Sequence, residues 1–184
     1  FELMQIDPTN PAWEQRDRFI LSKGHACPVQ YAALAMRGFF PIEELGTLRR
    51  LDSRLQGHPV QKKLPGIEAT TGSLGVGFCE AIGIALDARV KNAGYHVWTL
   101  LGDGELNEGA VWEGASAAAK FKLDNLTAIV DRNGLQNDGR CDDVMPMDSI
   151  PEKFRAFGWE VLEMDGHDMR NVLAVLKAAS MVKG

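Results

Sequence analysis

The stretch LLGDGELNEG, residues 100–109, places an aspartate between two glycines where a short apolar run stops. Glu105 and Glu108 follow before an Ala-rich segment begins. A turn needs a glycine or two, but not a central aspartate with two more acids behind it. Glycines let a backbone come close to a ligand and present amide donors to phosphate. A hard cation such as magnesium takes oxygen ligands, typically one or two side chains completed by phosphate and water. Asp103 could supply one such oxygen. A second polar stretch, DRNGLQNDG, also follows an apolar run, and Asn133 could supply another, with a carbonyl of NGLQ as a third. Asn133-Gly134 is equally a strong turn pair. Taken alone, each stretch therefore reads as turn or ligand site alike.

His25, in SKGH, and His58, in GHP, each follow a glycine in a loop. Histidine suits proton transfer near neutrality, and either ring could instead bond to backbone. His96, at the start of a strand, and His167, in DGHD, read as structural, and Trp112 reads as a core residue. Asp142, Asp143 and Asp148 read as a solvated loop.

The elements that must position these residues alternate. HVWTLL reads as a buried strand, GAVWEGASAAAKFK as a helix and LTAIVD as a second strand. IPEKFRAFG follows as a short helix, WEVLEMD as a third strand and DMRNVLAVLKAASMVK as a helix. This alternation predicts an α/β fold, a parallel sheet with helices on both faces. Ligands of such sheets bind outside the carboxyl ends of the strands, which is where GDGELNEG, DRNGLQNDG and DGHD fall. Upstream, residues 1–24 read as irregular and ACPVQYAALAMR as a helix ending at Gly38. Pro41 is expected in the first turn of another helix. Residues 53–72 form a long loop, and SLGVGFCEAIGIALDARVKNAG reads as a helix. Its Gly75, Gly77 and Gly83 would serve close backbone packing.

The 184 residues suit one domain, 1–184, whose two ends look truncated, since the chain opens on Phe1 without an initiator methionine. With net charge −5, no basic block and no run of about 20 apolar residues, nucleic acid and membrane are not expected partners. No signal peptide is visible. Cys27, Cys79 and Cys141 read as buried free thiols in a reducing compartment, hence a cytoplasmic protein.

GDG, followed after 28 residues by Asn133, resembles the thiamine diphosphate signature. DRFILSKGHA, LQGHP, GIEATTGSLGVG, LLGDGELNEGAVWE and IVDRNGLQNDG occur in order and resemble the amino-terminal, diphosphate-binding region of transketolase. The resemblance runs from about residue 7 to about residue 180 and is similar to bacterial forms whose two halves are separate polypeptides.

The resemblance implies a role for each matching position. Asp103 and Asn133 would bind magnesium through side chains and Leu135 through its carbonyl, with calcium or manganese able to substitute. Gly102, Gly104 and Glu105 would line the diphosphate, Gly104 donating its amide. Gly72, Ser73 and Leu74 would flank the cofactor, with Ser73 standing where many relatives have proline. His25 would lie near the diphosphate, His58 would face the reacting carbon, and Glu108 would join a proton relay across a subunit interface. Asn137 replaces an apolar residue and is given no role.

The implied activity is two-carbon ketol transfer from a ketose phosphate to an aldose phosphate, as in the pentose phosphate pathway. It would require a carboxyl-terminal subunit or domain and assembly into a dimer or heterotetramer. The alternatives are a related enzyme acting on dihydroxyacetone, apulose phosphate or deoxyxylulose phosphate, and a non-catalytic regulatory subunit. A nucleotide-binding module would need GxGxxG after a first strand or GxxxxGK[ST], and neither occurs.

Overall fold

The computed structural model describes residues 1–147 and 149–183. Three parallel strands form the central sheet in the order β1-β2-β3: β1 is Arg18–Leu21, β2 Val97–Gly102 and β3 Leu126–Asp131. Arg18 pairs with Val97, and Gly102 pairs with Asp131, so the carboxyl ends of β2 and β3 finish level.

Side chains alternate across the sheet and feed two cores. Ile20, Val97 and Leu101 face helices α2 (Val76–Val90) and α3 (Gly109–Lys120), where Phe78, Ala81, Val111 and Ala115 are fully buried. Phe19, Leu21 and Leu100 face helix α1 (Cys27–Arg37) and the long loop that follows it, through Tyr31, Leu55 and Ile67. Helices thus cover both faces, as the alternation predicts. Helix α1 ends where expected, with Gly38 at φ 90° as its left-handed cap. No helix among the described residues is long and apolar enough to cross a membrane.

Several expectations need correction. Residues 1–24 are not wholly irregular, because β1 lies there. Four residues starting with Arg18 are too short to show a period, and pairing to β2 is what makes them a strand. Pro41 precedes the helical turn instead of entering it, and Ile42–Thr47 is a 3-10 turn. WEVLEMD is not a strand. A cavity of about 670 Å³, lined by Ala128, Val130, Trp159, Val161 and Leu176, separates it from β3, so no ladder forms. The DGHD turn caps the helix Met169–Ala179, with Asp168 accepting from the N–H groups of Arg170 and Asn171. His167 sits in that exposed turn.

Gly77 packs as expected: a Cβ there would come 2.7 Å from the Cα of Ser22. Gly75, at φ 81°, opens α2, whereas Gly83 faces open space. Cys27 and Cys141 are buried, but Cys79 is exposed on α2. His96 is structural, its Nε2 2.8 Å from Thr127 Oγ1. Trp112 packs on the core and donates to the Leu106 carbonyl. Asp142 and Asp143 lie in helix α4 (Cys141–Val144), exposed to solvent. Asp148 lies outside the described residues.

Candidate cofactor site

Strand β2 delivers Asp103 to the carboxyl rim, where it caps the 3-10 turn Gly104–Asn107. Its Oδ1 accepts from the Gly104 N–H at 2.8 Å, and its Oδ2 accepts from the Gly134 N–H at 2.6 Å. The second bond joins the two polar stretches, as adjacent parallel strands require. Strand β3 runs out into Asn133 and the hairpin β4 (Leu135–Gln136) and β5 (Gly139–Arg140). Asn133 accepts from the Leu135 N–H through Oδ1 at 2.9 Å and donates through Nδ2 to Asp131 Oδ2 at 3.2 Å. The hairpin covers Gly104 so closely that a Cβ there would lie 2.8 Å from the Cβ of Gln136, which only glycine permits. The Gln136 Nε2 beside it is buried without a partner.

The histidines meet from the other side. His25 stands on a short 3-10 turn, Gly24–Ala26, directly after β1. A Cβ on Gly24 would approach Thr71 Oγ1 to 2.7 Å and Gly72 N to 3.0 Å. The His58 ring lies against Gly72, its Cδ2 3.4 Å from where a Cβ would stand. Glycines at 24 and 72 therefore let three chain segments converge on one mouth. Both rings are exposed there. Partial loss of solvent pushes the His25 imidazole below its ordinary value and the charge of Lys23 adds to this; Glu105 pulls the other way, and the nearby His58 adds a smaller push down. The His25 imidazole is thus less readily protonated than an ordinary histidine.

Glu105 points inward. Its carboxylate is 2% exposed and accepts from Ser22 Oγ, from the Gly75 N–H at 2.8 Å and from the Gly102 N–H at 3.1 Å. It ties the end of β1, the start of α2 and the end of β2 beneath the rim. Glu108 is exposed at the N-terminus of α3, its Cβ 3.2 Å from where a Cβ on Gly75 would stand. Ser73 is exposed and Leu74 half-buried just before α2. Asn137 is exposed and donates to Asp138 Oδ1 at 3.1 Å.

Two residues at this rim carry no sequence signal of their own. Lys23, with a buried side chain, reaches Asp131 Oδ2 at 2.8 Å. Burial would raise the Asp131 carboxyl, but hydrogen bonds from Lys23 and Asn133 hold it below its usual range. Recognising β1 would have found Lys23, since it follows that strand as Asp103 follows β2.

The residues fit a hard cation. Asp103 is 3% exposed and, among the described residues, forms no ion pair. A buried carboxylate without a counter-charge is costly. Its oxygens accept from the amides of Gly104 and Gly134, and the Cys141 thiol is a further side-chain partner; Asn133 offers only oxygen to a metal. An oxygen-only set suits magnesium better than a soft metal.

The family model described as "Transketolase, thiamine diphosphate binding domain" matches residues 1–184. The 6-deoxy-6-sulfo-D-fructose transketolase subunit of Clostridium sp. (strain MSTE9) is 44% identical over 184 residues, which is 100% of this chain and 67% of that protein. An apulose-4-phosphate transketolase subunit of Phocaeicola vulgatus is 42% identical over 178 residues, 97% of this chain and 63% of that protein. A solved transketolase from Leishmania mexicana superposes with a TM-score of 0.93 at 32% identity, covering 100% of this chain and 29% of that one. The chain thus spans about two thirds of the subunit-type relatives.

Proposed function

Because the chain belongs to the transketolase thiamine diphosphate-binding domain family, we propose that residues 1–184 form the metal–diphosphate half of a ketol-transferring enzyme. Asp103 and Asn133 hold Mg2+ through side-chain oxygens and Leu135 through its carbonyl, and Ca2+ or Mn2+ can take the same place. The Gly104 N–H and His25 meet the diphosphate, and Gly72, Ser73 and Leu74 border the cofactor. When bound, the cofactor supplies the carbon nucleophile that carries a two-carbon unit between sugars. The protein's part is to orient, to exclude water and to move protons. His25 accepts a proton at the mouth, and His58 lies near it against Gly72.

The donor class is a ketose with an anionic terminal group, the chemistry that sulfofructose and apulose phosphate share in the named relatives. Glu108 and the apolar, partly exposed α2 face a carboxyl-terminal subunit, through Val76 and Cys79. The assembly is then a dimer of such pairs. The free thiols suit a cytoplasmic setting.

The observation that carries this reading is the bond between Asp103 and the Gly134 N–H, which joins GDG to the asparagine loop around a buried, unpaired carboxylate. Isothermal titration of thiamine diphosphate into the chain, with and without magnesium, tests it. Saturable binding should require magnesium and disappear in Asp103→Ala. Binding that ignores magnesium or survives the substitution would sink the assignment.

A further inference from the structure

We propose that Lys23 is a positioning residue for the metal ligand Asn133, acting through Asp131; this rests on reading Asp103 and Asn133 as metal ligands. The Lys23 N–H donates to the Leu100 carbonyl at 3.2 Å, which fixes the root of its side chain on β2. The buried stem then passes Gly102, with Nζ 3.7 Å from where a Cβ would stand, and ends on Asp131 Oδ2 at 2.8 Å. The same oxygen accepts from Asn133 Nδ2 at 3.2 Å. One side chain therefore spans the carboxyl ends of all three strands to reach a ligand's second contact.

The chemistry of the amide makes that contact decisive. An asparagine side chain has a donor end and an acceptor end on a freely turning bond. Only the acceptor can ligate a cation. A carboxylate only accepts, so Asp131 takes the donor end and leaves Oδ1 on the opposite side of the amide, where it accepts from the Leu135 N–H. Asp131 itself is half-exposed, with a side-chain exposure of 46%, and without an anchor its carboxylate is free to turn into solvent. Lys23 is that anchor. Partners that orient a ligand in this way carry much of a metal's affinity, commonly 10- to 100-fold.

A purely structural ion pair would also explain a buried lysine, and the two roles separate experimentally. Removing Asp131 alone leaves the buried Lys23 charge unpaired, whereas replacing both with apolar residues of similar size is often neutral for folding. The full chain is titrated with Mn2+ in the presence of thiamine diphosphate, read by electron paramagnetic resonance of the free ion. The variants are K23M, K23R and the double variant K23M/D131L, each checked for native circular dichroism. The double variant is expected to keep its folding midpoint but bind Mn2+ about 10- to 100-fold more weakly than wild type. K23R, which keeps the cation on Asp131, is expected to recover most of the affinity that K23M loses.

Wild-type Mn2+ affinity in the folded double variant overturns the proposal and leaves the metal site standing. A wild-type chain that binds no Mn2+ with the cofactor overturns the metal-site reading, and this proposal with it.

Discussion

Replacing Glu105 by glutamine should cost the fold about 3 kcal/mol, judged from one lost charge-assisted bond and one stranded donor. The carboxylate is buried and accepts three bonds. In Glu105→Gln the amide oxygen can keep the two donors that share Oε1, Ser22 Oγ and the Gly75 N–H. The new NH2 then faces the Gly102 N–H, so donor meets donor where a bond of 3.1 Å stood. A hydrogen bond to a charged acceptor contributes about 1.5–3 kcal/mol, and a buried donor left without a partner costs about 1–3 kcal/mol. These overlap, and about 3 kcal/mol is the reasonable sum. For a domain of this size that lowers Tm by roughly 6–12 °C. Thermal unfolding followed by circular dichroism measures it, with Ser22→Ala as the milder control. The opposing effect is that the substitution removes a buried charge that forms no ion pair among the described residues, which alone would stabilise. A variant that melts at or above the wild-type temperature would show that desolvation dominates and that the three-donor argument is wrong.

Two further outcomes follow from packing and protonation. The His96 imidazole is pushed below its ordinary value, first by burial, with Asp17 pulling the other way. The unfolded chain therefore binds the proton more readily. Stability should be complete above about pH 6.5 and fall as pH drops toward the lower folded value. Urea midpoints across that window should slope less in His96→Asn, and parallel slopes would refute the assignment. Gly77→Ala should destabilise by about 1–3 kcal/mol, because its Cβ would press on Ser22 Cα at 2.7 Å. Gly83→Ala, in open space on the same helix, should stabilise by up to about 1 kcal/mol. Equal effects at the two positions in chemical denaturation would show that helix propensity, not contact, governs both.

Much of this was legible in the chain. The apolar runs HVWTLL and LTAIVD announce β2 and β3, and their polar ends announce the rim that holds Asp103 and Asn133. The order of short motifs announces the family. Hydrophobic period and glycine placement are local properties, so they survive in one dimension. Other features were not local. β1 is a strand because β2 pairs with it, and WEVLEMD is not one because a cavity stands between it and β3. The inward turn of Glu105 and the reach of Lys23 to Asp131 join residues 83 and 108 positions apart. By itself the sequence determined which residue types stand at the ends of the strands. Only the tertiary structure decided which of them stand together at the rim and which hold the others in place. Hydrogen-bond partners distant in the chain are chosen by strand order and register, and residue spacing carries no record of either.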